Sequence, residues 1–150
     1  MYLAEFTVRP ATRKDFPSIR SLIHTVQINP TGLNWWRFLV AVTPQGNLLG
    51  CGQVKPHADG SREMASIAVQ EQAQGQGVAR AVIEALLALE PERPIYLMCR
   101  ARLKPLYVKF GFHAIGLEEM PTYFRRISRV ERIFNSKAQP DDRLQVMRLV

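Results

Sequence analysis

A strand that runs through a glycine-rich turn straight into a helix constrains this chain more than any other stretch: Ile67-Ala68-Val69-Gln70-Glu71-Gln72-Ala73-Gln74-Gly75-Gln76-Gly77-Val78-Ala79-Arg80. Residues 62–69 read as a strand. Residues 77–89 repeat apolar side chains at Val78, Val82, Ile83, Leu86 and Leu87, the spacing of one helix face. A helix that follows a strand so closely packs back on the sheet, so the chain mixes α and β structure. The turn also implies a chemistry. The first N–H groups of a helix have no partner within it and the macrodipole is positive there, while glycine lets backbone approach a phosphate with no Cβ in the way. A pyrophosphate is the guest such a turn suits.

Two familiar pyrophosphate motifs are absent. The phosphate loop of nucleotide hydrolases needs Gly-Lys-Ser/Thr, and here Gly77 is followed by Val78-Ala79. The dinucleotide fingerprint G-x-G-x-x-G would begin at Gly75-Gln76-Gly77 but has Arg80 at its third glycine. Neither a nucleoside triphosphatase nor a nicotinamide dehydrogenase is favoured.

Around this centre the sequence predicts one domain of 150 residues, a length that buries enough surface to fold without metal or disulfide support. Residues 6–9 read as a strand. Residues 15–26 read as a helix opened by Asp15 as N-cap and Pro17 in the first turn, with Phe16, Ile19, Leu22, Ile23 and Val26 on one face. Residues 29–34 are rich in breakers and lead into Trp35-Trp36, a loop with aromatics at its end. Two β-rich runs, 37–43 and 48–55, are joined by a four-residue turn, and a second turn at 57–61 leads into residues 62–69. A short buried strand at 95–99, a short helix at 103–110 stopped by Gly111, a strand at 112–117, an amphipathic helix at 123–134 and a strand at 143–150 complete the order. The class is α+β, with a mixed, mostly antiparallel central sheet and helices on both faces.

Gln74-Gly75-Gln76-Gly77-Val78-Ala79 fits [QR]-x-x-G-x-[GA], the signature of the acetyl-CoA-dependent GNAT N-acetyltransferases. Leu106-Tyr107-Val108-Lys109-Phe110-Gly111-Phe112 is similar to that family's late L-Y-x-x-x-G-F segment, and the element order resembles its fold over nearly the whole chain. The resemblance implies that acetyl-CoA is the cosubstrate. Its pantetheine would meet the backbone of Ile67, Ala68 and Val69, and its pyrophosphate would meet Gln74, Gly75, Gln76, Gly77, Val78, Ala79 and Arg80. It also implies direct transfer, in which an amine attacks the thioester, an oxyanion forms and a thiolate leaves.

Within that frame Tyr107 is the expected proton donor to the leaving thiolate and Glu63 the expected base, at the position where some protein-acetylating relatives carry a glutamate. The alternative for Glu63 is a solvated charge beside Arg62. A backbone N–H of residues 67–69 would meet the oxyanion if a bulge opened the strand. Asn29, Asn34, Trp35 and Trp36 are expected to wall the acceptor site. Two departures stand out: Glu71 replaces a usual proline, and Arg100 replaces an asparagine, so that Arg100, Arg102 or Lys104 would attract the cofactor's phosphates instead.

Twenty basic against thirteen acidic residues give +7, and residues 121–137 hold more than half of that excess through Arg125, Arg126, Arg129, Arg132 and Lys137 against Glu131. A solvated face on a packed helix is the expectation there, with a lid or homodimer contact and a nucleic-acid contact as further readings. A polycationic acceptor is disfavoured by the net charge. The acceptor is expected to be a protein N-terminus or lysine, or a small neutral amine. The competing class is a non-catalytic module that senses acyl-CoA or docks on nucleic acid through helix 123–134.

Cys51 and Cys99 have no C-x-x-C spacing and read as reduced core residues. The histidines His24, His57 and His113 share no ligand spacing, so no metal is expected; His57, in the turn before Glu63, reads as a turn residue in water, with assistance in proton removal as the alternative. Met1-Tyr2-Leu3-Ala4-Glu5 has no basic flank or apolar core of a leader, and no apolar run is long enough to span a bilayer. A cytoplasmic protein with no membrane partner is expected.

Overall fold

A computed structural model describes residues 5–150. The reading of the chain start at Met1 to Ala4 lies outside the described residues. The chain divides into two compact units. The first runs to Lys55 and resumes over Met64–Pro91, and the second comprises Pro56–Glu63 and Glu92–Val150.

The first unit carries β1 (Thr7–Pro10), α1 (Phe16–Thr25), β2 (Phe38–Val42), most of β3 (Leu48–Pro56), the greater part of β4 (Arg62–Val69) and α2 (Val78–Leu89). Its strand order is β1-β2-β3-β4, with β1 and β3 both antiparallel to β2, so that Val40 faces Arg9 on one side and Cys51 on the other. Side chains alternate across this sheet and divide its faces. Phe38, Val40, Val42, Cys51 and Ala68 cluster with Ile19, Leu22 and Ile23 of α1. Full burial of each such side chain contributes roughly 1.5–3 kcal/mol.

The opposite face carries two glycines where α2 crosses it, Gly50 and Gly52. A Cβ on Gly50 would lie 2.7 Å from Val78 Cγ1, and one on Gly52 would lie 2.9 Å from Val82 Cγ1, so glycine at both places lets α2 sit close to the sheet. Helices therefore cover both faces of this unit.

The second unit carries β5 (Ile95–Arg100), α3 (Lys104–Val108), β6 (His113–Ala114), α4 (Thr122–Phe134) and β7 (Leu144–Leu149), with strand order β5-β7-β6 and antiparallel pairing throughout. The start of β4 joins β5 in parallel, Glu63 opposite Tyr96. Tyr96 and Val146 cluster with Ile115, Met120 and Phe124 beneath α4, while Cys99 and Met147, whose sulfurs lie 3.9 Å apart, belong to the other face.

The fold is the expected α+β arrangement, with a mostly antiparallel central sheet flanked by helices. Three local expectations are corrected. Asp15 stands at the expected N-cap position of α1 but makes no side-chain cap bond there; its carboxylate instead accepts the Thr12 N–H at 2.7 Å and closes the short 3-10 turn Arg13–Asp15. Trp35-Trp36 form another 3-10 turn, Trp35–Arg37, rather than open loop. The strand expected over residues 112–117 shrinks to His113–Ala114, because the Phe112 N–H turns back to Tyr107 O and a 3-10 turn at Leu117–Glu119 draws the chain off.

Candidate active site

In the first unit β4 ends where Gln70 N–H donates to Leu49 O at 2.8 Å, and one 3-10 turn, Glu71–Ala73, anchored by buried Ala73, delivers the chain to the glycines. Gly75 and Gly77 take φ of +76° and +82°, left-handed values that cost other residues roughly 1–2 kcal/mol. Nothing stands within 4 Å of the position a Cβ would take on either. Gly77 O accepts the Ala81 N–H at 3.0 Å as the first bond of α2, which leaves the N–H groups of Val78, Ala79 and Arg80 without helical partners. The open approach, the unused donors and the dipole together fit a pyrophosphate. The guanidinium of Arg80 lies along the helix, 2.9 Å from Glu84.

Upstream, Ser66 interrupts β4 with φ +60° just before Ile67, Ala68 and Val69. A left-handed residue inside a strand is the mark of a bulge, the device that frees backbone donors from a ladder. Gln53, fully buried on β3, donates from Nε2 to Ser66 Oγ at 2.9 Å and to Gly32 O at 3.2 Å, and so ties the bulge to the loop after α1. Lys55 is also buried, its Nζ 3.4 Å from where a Cβ on Gly32 would lie. In that loop Asn29 Oδ1 accepts from the Thr31 N–H and hydroxyl, so its side chain shapes the loop itself. Asn34 opens the short turn, and Trp35 meets Trp36 edge-on at 5.8 Å, with Trp36 63% exposed.

The second unit holds the proton-carrying candidates in two different surroundings. Tyr107, on α3, is buried, edge-on to Phe112 at 6.3 Å. Burial, reinforced by neighbouring Cys99, pushes its phenol up to about 12, so it stays protonated through the neutral range. Glu63 is not a solvated charge. Its side chain is 5% exposed and its Oε1 lies 2.8 Å from Nε2 of His57.

His57 is likewise not a turn residue in water. Its side chain is 11% exposed, stacked on Tyr123 at 3.5 Å and 16°, and edge-on to Phe124. Desolvation, then the Glu63 charge, raises the Tyr123 phenol above its ordinary value. Neither the bond of Gln53 to Ser66 in the first unit nor the stacking of His57 on Tyr123 in the second was legible, because each depends on pairing between elements distant in sequence.

Arg100 and Arg102 are engaged within this unit rather than held ready for phosphate. Arg100 donates to Glu131 at 2.7 Å and to Asp142 O, and Arg102 pairs with the Asp142 carboxylate. A cavity of about 460 Å³ opens beside them, between α4 and the start of β7, over Met120, Ser128 and Val146. Among the described residues no group of three His, Cys, Asp or Glu is placed to hold a metal, and no helix is long and apolar enough to cross a membrane.

Comparison with solved structures places this fold among acetyltransferases. N-acetylglutamate synthase from Neisseria gonorrhoeae, complexed with coenzyme A and N-acetyl-glutamate, superposes with a TM-score of 0.75 over 97% of this chain at 19% identity. The chain spans only 35% of that synthase. Rv2747 from Mycobacterium tuberculosis, in complex with CoA and NLQ, gives 0.72 at 22% identity, covering 96% of this chain and 98% of its own. Ard1 from Thermoplasma volcanium gives 0.67 at 17% identity, covering 97% and 98%. A search of curated protein sequences found no significant match. The model of the acetyltransferase (GNAT) domain matches residues 34–114, more than half of the sequence, and with it the chain belongs to the GNAT acetyltransferase family.

Proposed function

We propose that this protein is an N-acetyltransferase that moves the acetyl group of acetyl-CoA directly to a primary amine. The observation that carries the reading is the open, left-handed glycine turn of Gly75 and Gly77 leading into the unpartnered N–H groups of Val78, Ala79 and Arg80. Acetyl-CoA supplies the activated acetyl thioester; the chain supplies binding and proton handling. The turn holds the pyrophosphate, and the backbone of Ile67, Ala68 and Val69 behind the Ser66 bulge holds the pantetheine and offers a donor to carbonyl oxygen. Glu63 and its neighbours form the proton-accepting side. Tyr107, its phenol protonated at neutral pH and pushed further up to about 12 by burial, is the donor to the departing sulfur.

The acceptor is a protein N-terminus or lysine in neutral or acidic surroundings, or a small neutral amine. The net charge of +7 supports this by disfavouring polycations. The gonococcal complex, which contains the acetylated acidic amino acid N-acetyl-glutamate, supports it from a relative. Asn29, Asn34, Trp35 and Trp36 wall the acceptor site. The protein works in the cytoplasm, without metal and without a membrane.

Release of CoA thiol, followed colorimetrically with α-amino acids, N-terminal peptides, lysine peptides and spermidine, tests the reading. Turnover with a neutral or acidic amine above spermidine is expected. Tyr107→Phe should lower kcat by about 10- to 100-fold with little change in acetyl-CoA affinity. Faster turnover of spermidine would overturn the acceptor class, and undiminished kcat would remove Tyr107 from its role.

A second reading has its own observation. Arg126, Arg129 and Arg132 of α4 point outward beside Val130, Ile133 and Phe134, which are 53%, 73% and 80% exposed. A non-catalytic acyl-CoA sensor or nucleic-acid docking module would use that face. It predicts acetyl-CoA binding with no transfer to any amine.

A further inference from the structure

The His57 backbone is fixed by its own turn: its N–H donates to Ser61 O at 2.9 Å and its carbonyl accepts the Gly60 N–H at 3.0 Å. Asp59 in the same turn accepts the Tyr123 N–H at 2.9 Å, so the turn also sets the start of α4 and the ring that stacks on the imidazole. The titratable groups facing His57 are therefore Glu63 from β4, Asp59 from the turn and Tyr123 from α4, with Phe124 closing the edge. A carboxylate only accepts hydrogen bonds, so contact with Glu63 Oε1 puts the imidazole proton on Nε2 and leaves the lone pair on Nδ1. Among the described residues Nδ1 has no hydrogen-bond partner.

We propose that His57, through Nδ1, is the group that takes the acceptor's ammonium proton, and that Glu63 is a positioning residue that fixes the tautomer and steadies the imidazolium. The proposal rests on the acetyltransferase reading and refines its proton-accepting side. Glu63 is more enclosed than His57, and its Oε1 is already engaged. An imidazole is also the side chain whose ordinary titration falls near neutrality, which suits a base that must recycle at each turnover. The stacked Tyr123 face offers the imidazolium a further attraction. The roles follow those of a carboxylate and a histidine in a hydrolytic triad, where the carboxylate orients the ring and does not take the proton.

The balance is simple. The ammonium gives one proton to Nδ1, from which it passes to solvent, and the freed nitrogen pair forms the C–N bond as the C–S bond breaks. The departing sulfur takes its proton from Tyr107, and the second proton, shed by nitrogen after attack, restores the Tyr107 phenol.

The test uses the full chain, acetyl-CoA and the best amine of the panel, with kcat/KM measured from pH 5 to 9. Wild type is expected to lose activity on the acid side. His57→Ala should fall about 100-fold and lose that acid limb, with activity partly restored by added imidazole. Glu63→Gln should keep the limb and lower kcat/KM less than either His57 variant, since the imidazole loses its orienting partner but not its Nδ1 lone pair. His57→Gln, which can still meet Glu63, should be as inactive as His57→Ala while its melting temperature and acetyl-CoA affinity stay near wild type. It keeps the test valid if the alanine variant does not fold.

A wild-type profile in either His57 variant would overturn the proposal and leave the acetyltransferase reading intact. Loss of the limb in Glu63→Gln would make Glu63 the base. Failure of the wild type to acetylate any amine while still binding acetyl-CoA would defeat the broader reading instead, and the proposal with it.

Discussion

The glycine turn of the first unit and the His57 cluster of the second are built in opposite ways. The turn is made of backbone: two left-handed glycines and the unpartnered N–H groups at the head of α2, contiguous in sequence over a few residues. The cluster is made of side chains from a turn, a strand and a helix, with His57 and Glu63 close in sequence and Tyr123 far from both. A backbone site needs only the correct local conformation, and local sequence specifies that. A side-chain site depends on distant packing, so it is fixed by the core beneath it.

That contrast predicts where each region breaks. The largest effect should come from Phe124→Ala, which removes the fully buried ring under Tyr123 and against His57 and costs about 3–5 kcal/mol, read from denaturant unfolding. Gly77→Ala meets open space and only backbone strain, so about 1 kcal/mol is expected, with a disproportionate loss of acetyl-CoA affinity. Equal stability costs in the two variants would erase the distinction.

The thiols offer one reporter in each unit. Burial pushes Cys51 up to about 12 and Cys99 up to about 11, and both stay protonated and slow to alkylate in the folded state at pH 8. Cys99 should react first, being 7% exposed against 0% for Cys51; the reverse order would mean that the first unit opens more readily.

The smallest effects belong to the surface ion pairs. Arg9 holds the Asp15 carboxyl below its ordinary value in the first unit, and Arg100 does the same for Glu131 in the second. A carboxylate with a lowered folded-state pKa contributes stability that is present above its unfolded pKa of about 4 and lost as pH falls through the folded value. Asp15→Asn and Glu131→Gln should each cost about 0–1 kcal/mol at pH 7 and flatten acid unfolding below pH 4. Unchanged acid unfolding in both would show that these pairs contribute nothing.

Much of the fold was legible because its signals are local. The bounds of β4 and the face of α2 follow from alternation and from i, i+4 spacing, and the breakers Gly46, Asn47 and Gly60 mark the turns. The truncation of β6 was not, since it depends on Phe112 bonding back to Tyr107. Among the candidate residues the glycine turn read clearly, as its chemistry is conformational. His57 read as solvated, because nothing in its neighbourhood announces Tyr123, and Gln53 carries no signal of its own, because only the course of β3 brings it to the loop at Gly32.

The measurement that bears most directly on the account is a calorimetric titration of the purified protein with acetyl-CoA, with ATP and NAD as controls and Gly77→Glu as the damaged turn. Saturable binding of acetyl-CoA alone, weakened about 100-fold or more in the variant, is the predicted result. No binding, or ATP binding as tightly as acetyl-CoA, would contradict the assignment of the turn.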